Sequence, residues 1–143
     1  MVVLVVEDEA IIAYCSAAIL EGAGLTVLGP AHTTVEALEL ARNRQPDVAL
    51  VDIDLERPGA GIGLARQLRT QFGTAIVFTT GRADLACAHH DTAVAVLSKP
   101  YDPSELPGIV RYADSRPRAS GSRATPSRSV SVTRLPAHNG SGA

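Results

Sequence analysis

Tryptophan is absent from this 143-residue chain, and three tyrosines with two phenylalanines bring the aromatic content to only 3%. Any core must therefore be assembled from Val, Leu, Ile and Ala, for which a hydrophobic content of 45% is ample. Cysteine is scarce as well. Cys15 and Cys87 both fall inside apolar helical patterns without metal-ligand spacing, which argues against a disulfide framework or a zinc site. They read as small buried hydrophobes in a reducing compartment. Long apolar runs are missing: the N-terminal one is five residues, Val2 to Val6, before Glu7, Asp8 and Glu9. That is too short for a signal peptide or a membrane span, so a cytoplasmic chain with no membrane partner is expected. Lysine is rarest among the charged residues. Lys99 stands alone beside twelve arginines.

The length admits one domain of ordinary size and little more, so no separate DNA-binding or enzymatic output domain is expected. The net charge of −2 conceals two unlike parts. Residues 1–114 hold all 15 acids and eight of the bases, whereas residues 115–143 hold five arginines and no acid. That second part is rich in Ser, Pro and Gly and has few large apolar residues, so it reads as a disordered basic tail. Val130, Val132 and Leu135 alternate with polar residues there, but a lone alternating stretch has no evident sheet to join. The tail is either a solvated appendage or lies weakly on the acidic surface.

Within residues 1–114, apolar runs alternate with helical patterns. Strands are expected at Val2–Val6, Leu25–Leu28, Val48–Asp52, Ala75–Thr79 and Val94–Leu97. Helices are expected over Ala10–Glu21, with Ile11, Cys15, Ala18 and Ile19 on one face, and over Thr34–Asn43, with Val35, Leu38 and Ala41 inward. Glu56 to Gly63 contains Pro58 and three glycines and reads as a loop before a helix over Leu64–Gln71. A short helix is expected over Arg82–His90 and a last one over Pro103–Ala113. This alternation predicts an α/β fold, a doubly wound five-stranded parallel sheet with helices on both faces.

Parallel strands bring their C-terminal ends to one edge, where open α/β sheets keep their sites. Glu7-Asp8 closes the first strand, Asp52 the third, Thr80-Gly81 the fourth, and Lys99, followed by Pro100, the fifth. Crowded carboxylates call for a hard divalent cation, and oxygen-only ligation suits Mg²⁺. Asp52 could then attack phosphorus and become an aspartyl phosphate. The cation and Lys99 would neutralise equatorial oxygens. Thr80 Oγ1 and the Gly81 N–H could hydrogen-bond them, glycine allowing close approach. Each part also has a plainer reading: Asp8 or Glu9 as a helix cap, Thr80-Gly81 as a turn, Lys99 as a solvated strand end. His89 and His90 are adjacent and point apart on a helix, and His32 and His138 suggest no role.

The combination Val5-Val6-Glu7-Asp8-Glu9, Val51-Asp52-Ile53-Asp54-Leu55, Thr79-Thr80-Gly81 and Ser98-Lys99-Pro100 resembles the receiver domain of bacterial response regulators, over residues 1 to about 113. The details look most like receivers paired with alphaproteobacterial sensor kinases. The resemblance implies a flavodoxin-like fold with Asp52 as phosphoacceptor. It further implies Mg²⁺ served by Glu7, Asp8, Asp52 and the Asp54 backbone carbonyl, with Thr80 as switch hydroxyl and Lys99 as phosphoryl-binding ammonium. Its partners would be a sensor histidine kinase or phosphotransfer protein and a downstream protein at the face from about Arg82 to Asp114. No direct nucleic-acid binding is expected, and no enzymatic action beyond chemistry on Asp52 itself.

Two positions depart from that pattern. The family's aromatic residue three before the lysine is Val96 here, which puts its coupling to the threonine in doubt. Two beyond the threonine stands Arg82, either an exposed arginine or one that leans over the site to pair with Asp54 or a phosphoryl group. The competing readings are a toprim-like metal-dependent phosphodiester enzyme and a binding module whose pocket is inert. The first also pairs a glutamate with an Asp-x-Asp, but usually has glycine where Asp8 stands.

Overall fold

The computed structural model describes residues 1–82, 84 and 91–116, and the backbone of 131–133. Its elements run β1 (Val2–Val6), α1 (Ala10–Gly22), β2 (Thr26–Ala31), α2 (Thr34–Asn43), β3 (Val48–Asp52), α3 (Ala60–Phe72), β4 (Ala75–Thr80) and β5 (Ala95–Ser98). A 3₁₀ turn (Pro103–Glu105) leads into α4 (Leu106–Ser115), and β6 (Ser131–Thr133) follows. Of the expected helix Arg82–His90, only Asp84 is described as helical; Cys87, His89, His90 and His138 lie outside the described residues.

The strand order is β2-β1-β3-β4-β5-β6 and every pairing is parallel. The first five strands form the doubly wound sheet expected from the alternating pattern. The sixth corrects the expectation that residues 115–143 have no sheet to join: Ser131–Thr133 pairs with Ala95–Leu97. Without it β5 would be an edge strand with a row of unpaired N–H and C=O groups, which any extended segment can satisfy. The rest of the tail, 117–130 and 134–143, lies outside the described residues.

Side chains of a strand alternate between faces, and the core divides accordingly. Leu4, Val6, Ala49, Val51, Ile76, Phe78 and Val96 face α2 and α3, packing with Ala37, Ala41, Leu64, Ala65 and Leu68. Val3, Val5, Val48, Leu50, Val77, Ala95 and Leu97 face the other way, onto Leu20 of α1 and Leu106, Ile109, Val110 and Ala113 of α4. Helices thus cover both faces.

Three local expectations change. The buried stripe of α1 is Ala13, Ser16, Ala17 and Leu20, so Ile11, Cys15 and Ala18 face solvent. Nearly every residue of this helix is apolar, so spacing alone could not choose a face; the small side chains let it lie close to the sheet. In α2, Ala37 and Ala41 are buried while Val35 is 64% exposed and Leu38 is half-buried. Third, α3 begins at Ala60, inside the stretch expected to be a loop. Gly61 explains why helix persists there. A Cβ at Gly61 would lie 2.0 Å from the Asp52 carbonyl oxygen, so only glycine lets the first turn of α3 meet the end of β3.

Candidate functional site

Register fixes which residues meet at the C-terminal edge. Asp52 pairs with Thr79, Thr80 with Ser98, and Val6 with Val51, so the residues just beyond β1, β3, β4 and β5 surround one crevice. It opens beside β1 and β3, where connections leave in opposite directions, the usual place for a ligand in such sheets.

Glu7 and Asp52 are buried there and Asp8 is exposed. One carboxylate oxygen from each lies within 4.8 Å of the others, close enough to share an ion. The acid pair does not cap α1: the N-cap is Glu9, and its side chain makes no cap hydrogen bond. Asp8 instead accepts the Glu56 N–H at 3.3 Å. Asp52 is held from two sides, Oδ1 accepting the Asp54 N–H at 3.1 Å and Oδ2 accepting from Lys99 Nζ at 3.3 Å. Lys99 Nζ also donates to Glu7 Oε1 at 2.9 Å. Its backbone N–H donates to the Thr80 carbonyl at 2.7 Å, so the ammonium is positioned from main chain outward.

The other Glu7 oxygen, Oε2, is buried and has no hydrogen-bond partner among the described residues. An unpartnered carboxylate oxygen in a dry site is expensive when charged. Burial first, and the adjoining Asp52 next, push the Glu7 carboxyl up to about 8 despite Lys99. Burial works against the charge of Lys99, but its hydrogen bond to Glu7 and the nearby Asp52 outweigh this and hold it above its ordinary value. An orphaned buried oxygen beside two further carboxylates fits a hard divalent cation, which would supply the missing partner.

Thr80 is fully buried, but its hydroxyl is engaged by residue 82, accepting the Arg82 N–H at 2.8 Å and donating to the Arg82 carbonyl at 3.3 Å. A Cβ at Gly81 would meet no described atom within 4 Å, whereas Gly61 is the glycine that lets protein meet protein beside Asp52. Arg82 takes the pairing foreseen for it, with Nη2 at 2.6 Å and Nε at 3.3 Å from the two Asp54 carboxylate oxygens. That guanidinium holds the Asp54 carboxyl below the usual carboxylate range. Val96 is buried among aliphatic side chains and Phe78.

His32 was not foreseen. Ala31 accepts the Glu7 N–H at 2.9 Å, and His32 Nδ1 lies 2.9 Å from the Glu7 carbonyl, so Nδ1 donates and the two residues clamp the Glu7 backbone. A partner 25 residues away leaves no signal in local spacing.

This set of residues on this sheet has a counterpart among known proteins. The family model for the response regulator receiver domain matches residues 3–111. The chain belongs to that family. A transcriptional regulatory protein, PdtaR, of Mycobacterium tuberculosis is 34% identical over 117 residues, 80% of this chain and 57% of its own length. The phyllosphere-induced regulator PhyR of Methylorubrum extorquens is 27% identical over 113 residues, 78% of this chain and 42% of PhyR. The chain thus spans about half the length of the curated relatives it matches. A solved response regulator of Chloroflexus aurantiacus superposes with a TM-score of 0.71 at 27% identity, covering 80% of this chain and 98% of that one. The PhyR structure of Brucella abortus gives 0.68 at 25% identity over 78% of this chain and 46% of that one. Receiver membership, with Asp8 where toprim enzymes usually have glycine, leaves the phosphodiester-enzyme reading without support. Among the described residues of the receiver, no helix is long and apolar enough to cross a membrane.

Proposed function

We propose that this receiver takes a phosphoryl group onto Asp52 from a histidine of a sensor kinase or phosphotransfer protein and passes the change to a protein partner. One observation carries the reading: Asp52 is buried at a strand end, with one oxygen fixed by a backbone N–H and the other by the only lysine in the chain. An Asp52 oxygen attacks phosphorus, a P–O bond forms as the donor's P–N bond breaks, and the imidazole leaves with the electron pair. Glu7, Asp8, Asp52 and the Asp54 carbonyl would hold Mg²⁺, which supplies positive charge to the phosphoryl oxygens in flight. Lys99 follows the phosphoryl as a compact point charge. The Asp54 N–H holds one oxygen of the nucleophile in place, and Gly61 lets α3 close against the Asp52 main chain. Residues 1–114 form the working domain and 115–143 an appended basic segment. The chemistry is confined to Asp52, the setting is cytoplasmic, and the outgoing signal uses the face from Arg82 to Asp114. The direct test is incubation with Mg²⁺ and phosphoramidate. A mass gain of one phosphoryl group that hydroxylamine removes is expected; no gain rejects the reading.

A protein donor needs a dock beside Asp52. An apolar cleft of about 490 Å³ runs from Lys99 past Tyr101 and Pro103 to Ile11 and Cys15 of α1. Ile11 is 81% and Tyr14 60% exposed, and large apolar side chains left out beside an apolar cleft mark a contact surface. Ile11→Glu is expected to slow transfer from a phosphorylated protein donor about tenfold or more, the effect of about 1.4 kcal/mol lost from the encounter. Labelling by phosphoramidate, which needs no dock, stays normal. Equal slowing with both donors would place Ile11 in the chemistry instead.

A further inference from the structure

We propose that Arg82 is a phosphoryl ligand held in reserve by Asp54. The inference rests on Asp52 being the phosphoacceptor and adds a second cation to its site. Arg82 lies two residues beyond the end of β4 and Asp54 two beyond the end of β3, neighbouring parallel strands whose last pair is Asp52 with Thr79. Their bidentate pair therefore spans the gap between the chains leaving β3 and β4, beside the crevice. Asp54 is itself held in place, because its N–H donates to Asp52 Oδ1 at 3.1 Å and its Oδ1 accepts the Gly59 N–H at 3.1 Å. The guanidinium is thus tethered to a residue that itself touches the phosphoacceptor.

The tether is weak enough to exchange. Both side chains are partly exposed, 49% for Arg82 and 35% for Asp54, and exposed ion pairs contribute little net stability. A phosphoryl group on Asp52 offers more negative charge than one carboxylate and several oxygens that a planar guanidinium can engage two at a time. Its arrival also competes for Thr80, whose hydroxyl now holds both the N–H and the carbonyl of Arg82. Both the main chain and the side chain of one residue are therefore released by the same event. With Val96 in the place of an aromatic ring, Arg82 is the side chain built to register phosphorylation.

Once on the phosphoryl group, the guanidinium obstructs the water whose oxygen must attack phosphorus as the bond to Asp52 breaks, returning the Asp52 carboxylate and inorganic phosphate. The test follows loss of the phosphoryl mass from wild type, Arg82→Ala, Asp54→Asn and the double variant, each labelled with phosphoramidate in Mg²⁺ and then freed of donor. Asp54→Asn keeps the backbone carbonyl and an oxygen for the Gly59 N–H, and weakens the tether by removing its charge and one of its two acceptors. Arg82→Ala is expected to lose phosphate about fivefold faster or more. Asp54→Asn, which loosens the guanidinium, loses it more slowly than wild type, and the double variant behaves as Arg82→Ala. If the pair were only a brace between loops, both single variants would change the rate in the same direction, and that result overturns the proposal. So does an Asp54→Asn effect that persists without Arg82. For a variant that labels poorly, binding of beryllofluoride, a phosphoryl mimic, is measured instead: Arg82→Ala should weaken it, and unchanged affinity counts against a phosphoryl ligand. A wild-type chain that acquires no label removes the phosphoacceptor reading itself, and the proposal with it.

Discussion

Asp52→Asn is expected to carry no phosphoryl group after prolonged incubation with phosphoramidate and Mg²⁺, under conditions in which the wild-type chain is labelled. The carboxamide has nearly the shape of the carboxylate but lacks its nucleophilic charge. It keeps the Oδ1 position that accepts the Asp54 N–H, so the turn into α3 survives. It also removes a buried charge that helps to keep the Glu7 carboxyl raised, at the expense of the Lys99 contact to Oδ2. The variant should therefore fold with a stability close to that of wild type without metal, a property readable by thermal melting. Retention of hydroxylamine-labile label by a folded Asp52→Asn chain would falsify the assignment.

Asp8→Ala should weaken Mg²⁺ binding by at least about tenfold, the lower end of what even outer-shell changes cost metal sites, and slow phosphorylation to match. Asp8 is exposed and accepts a 3.3 Å hydrogen bond from the Glu56 N–H, so the metal-free fold should change little. The metal-free protein itself should show a distinctive pH dependence. Glu7 has its folded pKa raised from 4.5 to about 8, so between those values the folded state binds more protons than the unfolded one. Stability from this group is full below about 4.5, falls as pH rises and is lost above about 8, a change on the order of a few kcal/mol. Saturating Mg²⁺ should flatten that slope, because the cation replaces the proton as partner for Glu7 Oε2. A slope unaltered by Mg²⁺ would separate Glu7 from the metal site, and normal Mg²⁺ affinity in Asp8→Ala would place the site elsewhere.

The strand ends are legible in the chain because apolar runs stop at charged or hydroxylated residues, and a parallel sheet converts that order into proximity. Glu7, Asp52 and Lys99 meet for this reason. The pairing of Arg82 with Asp54 is one of two open readings of the sequence and is the one observed. What resists reading depends on tertiary contact. The face of α1 cannot be chosen among uniformly apolar residues. The helical start at Ala60 is hidden by glycines, of which Gly61 serves closeness to Asp52 rather than flexibility. Spacing sends the Thr80 hydroxyl to the crevice, but residue 82 competes for it locally. The pairing of 131–133 with β5 joins segments more than thirty residues apart, beyond any periodicity.

Because Lys99 is the only lysine, the chain has a single side-chain amine, and that amine lies inside the crevice. Reagents that acylate amines can therefore modify just two places, Lys99 and the N-terminus, without any engineering. Two carboxylates keep Nζ protonated and shielded, so its acylation should be slow and should respond to whatever occupies the site. The terminal amine serves as the internal standard. The ratio of the two reactivities would follow occupancy of the crevice in solution, with an unmodified protein and an ordinary mass spectrometer.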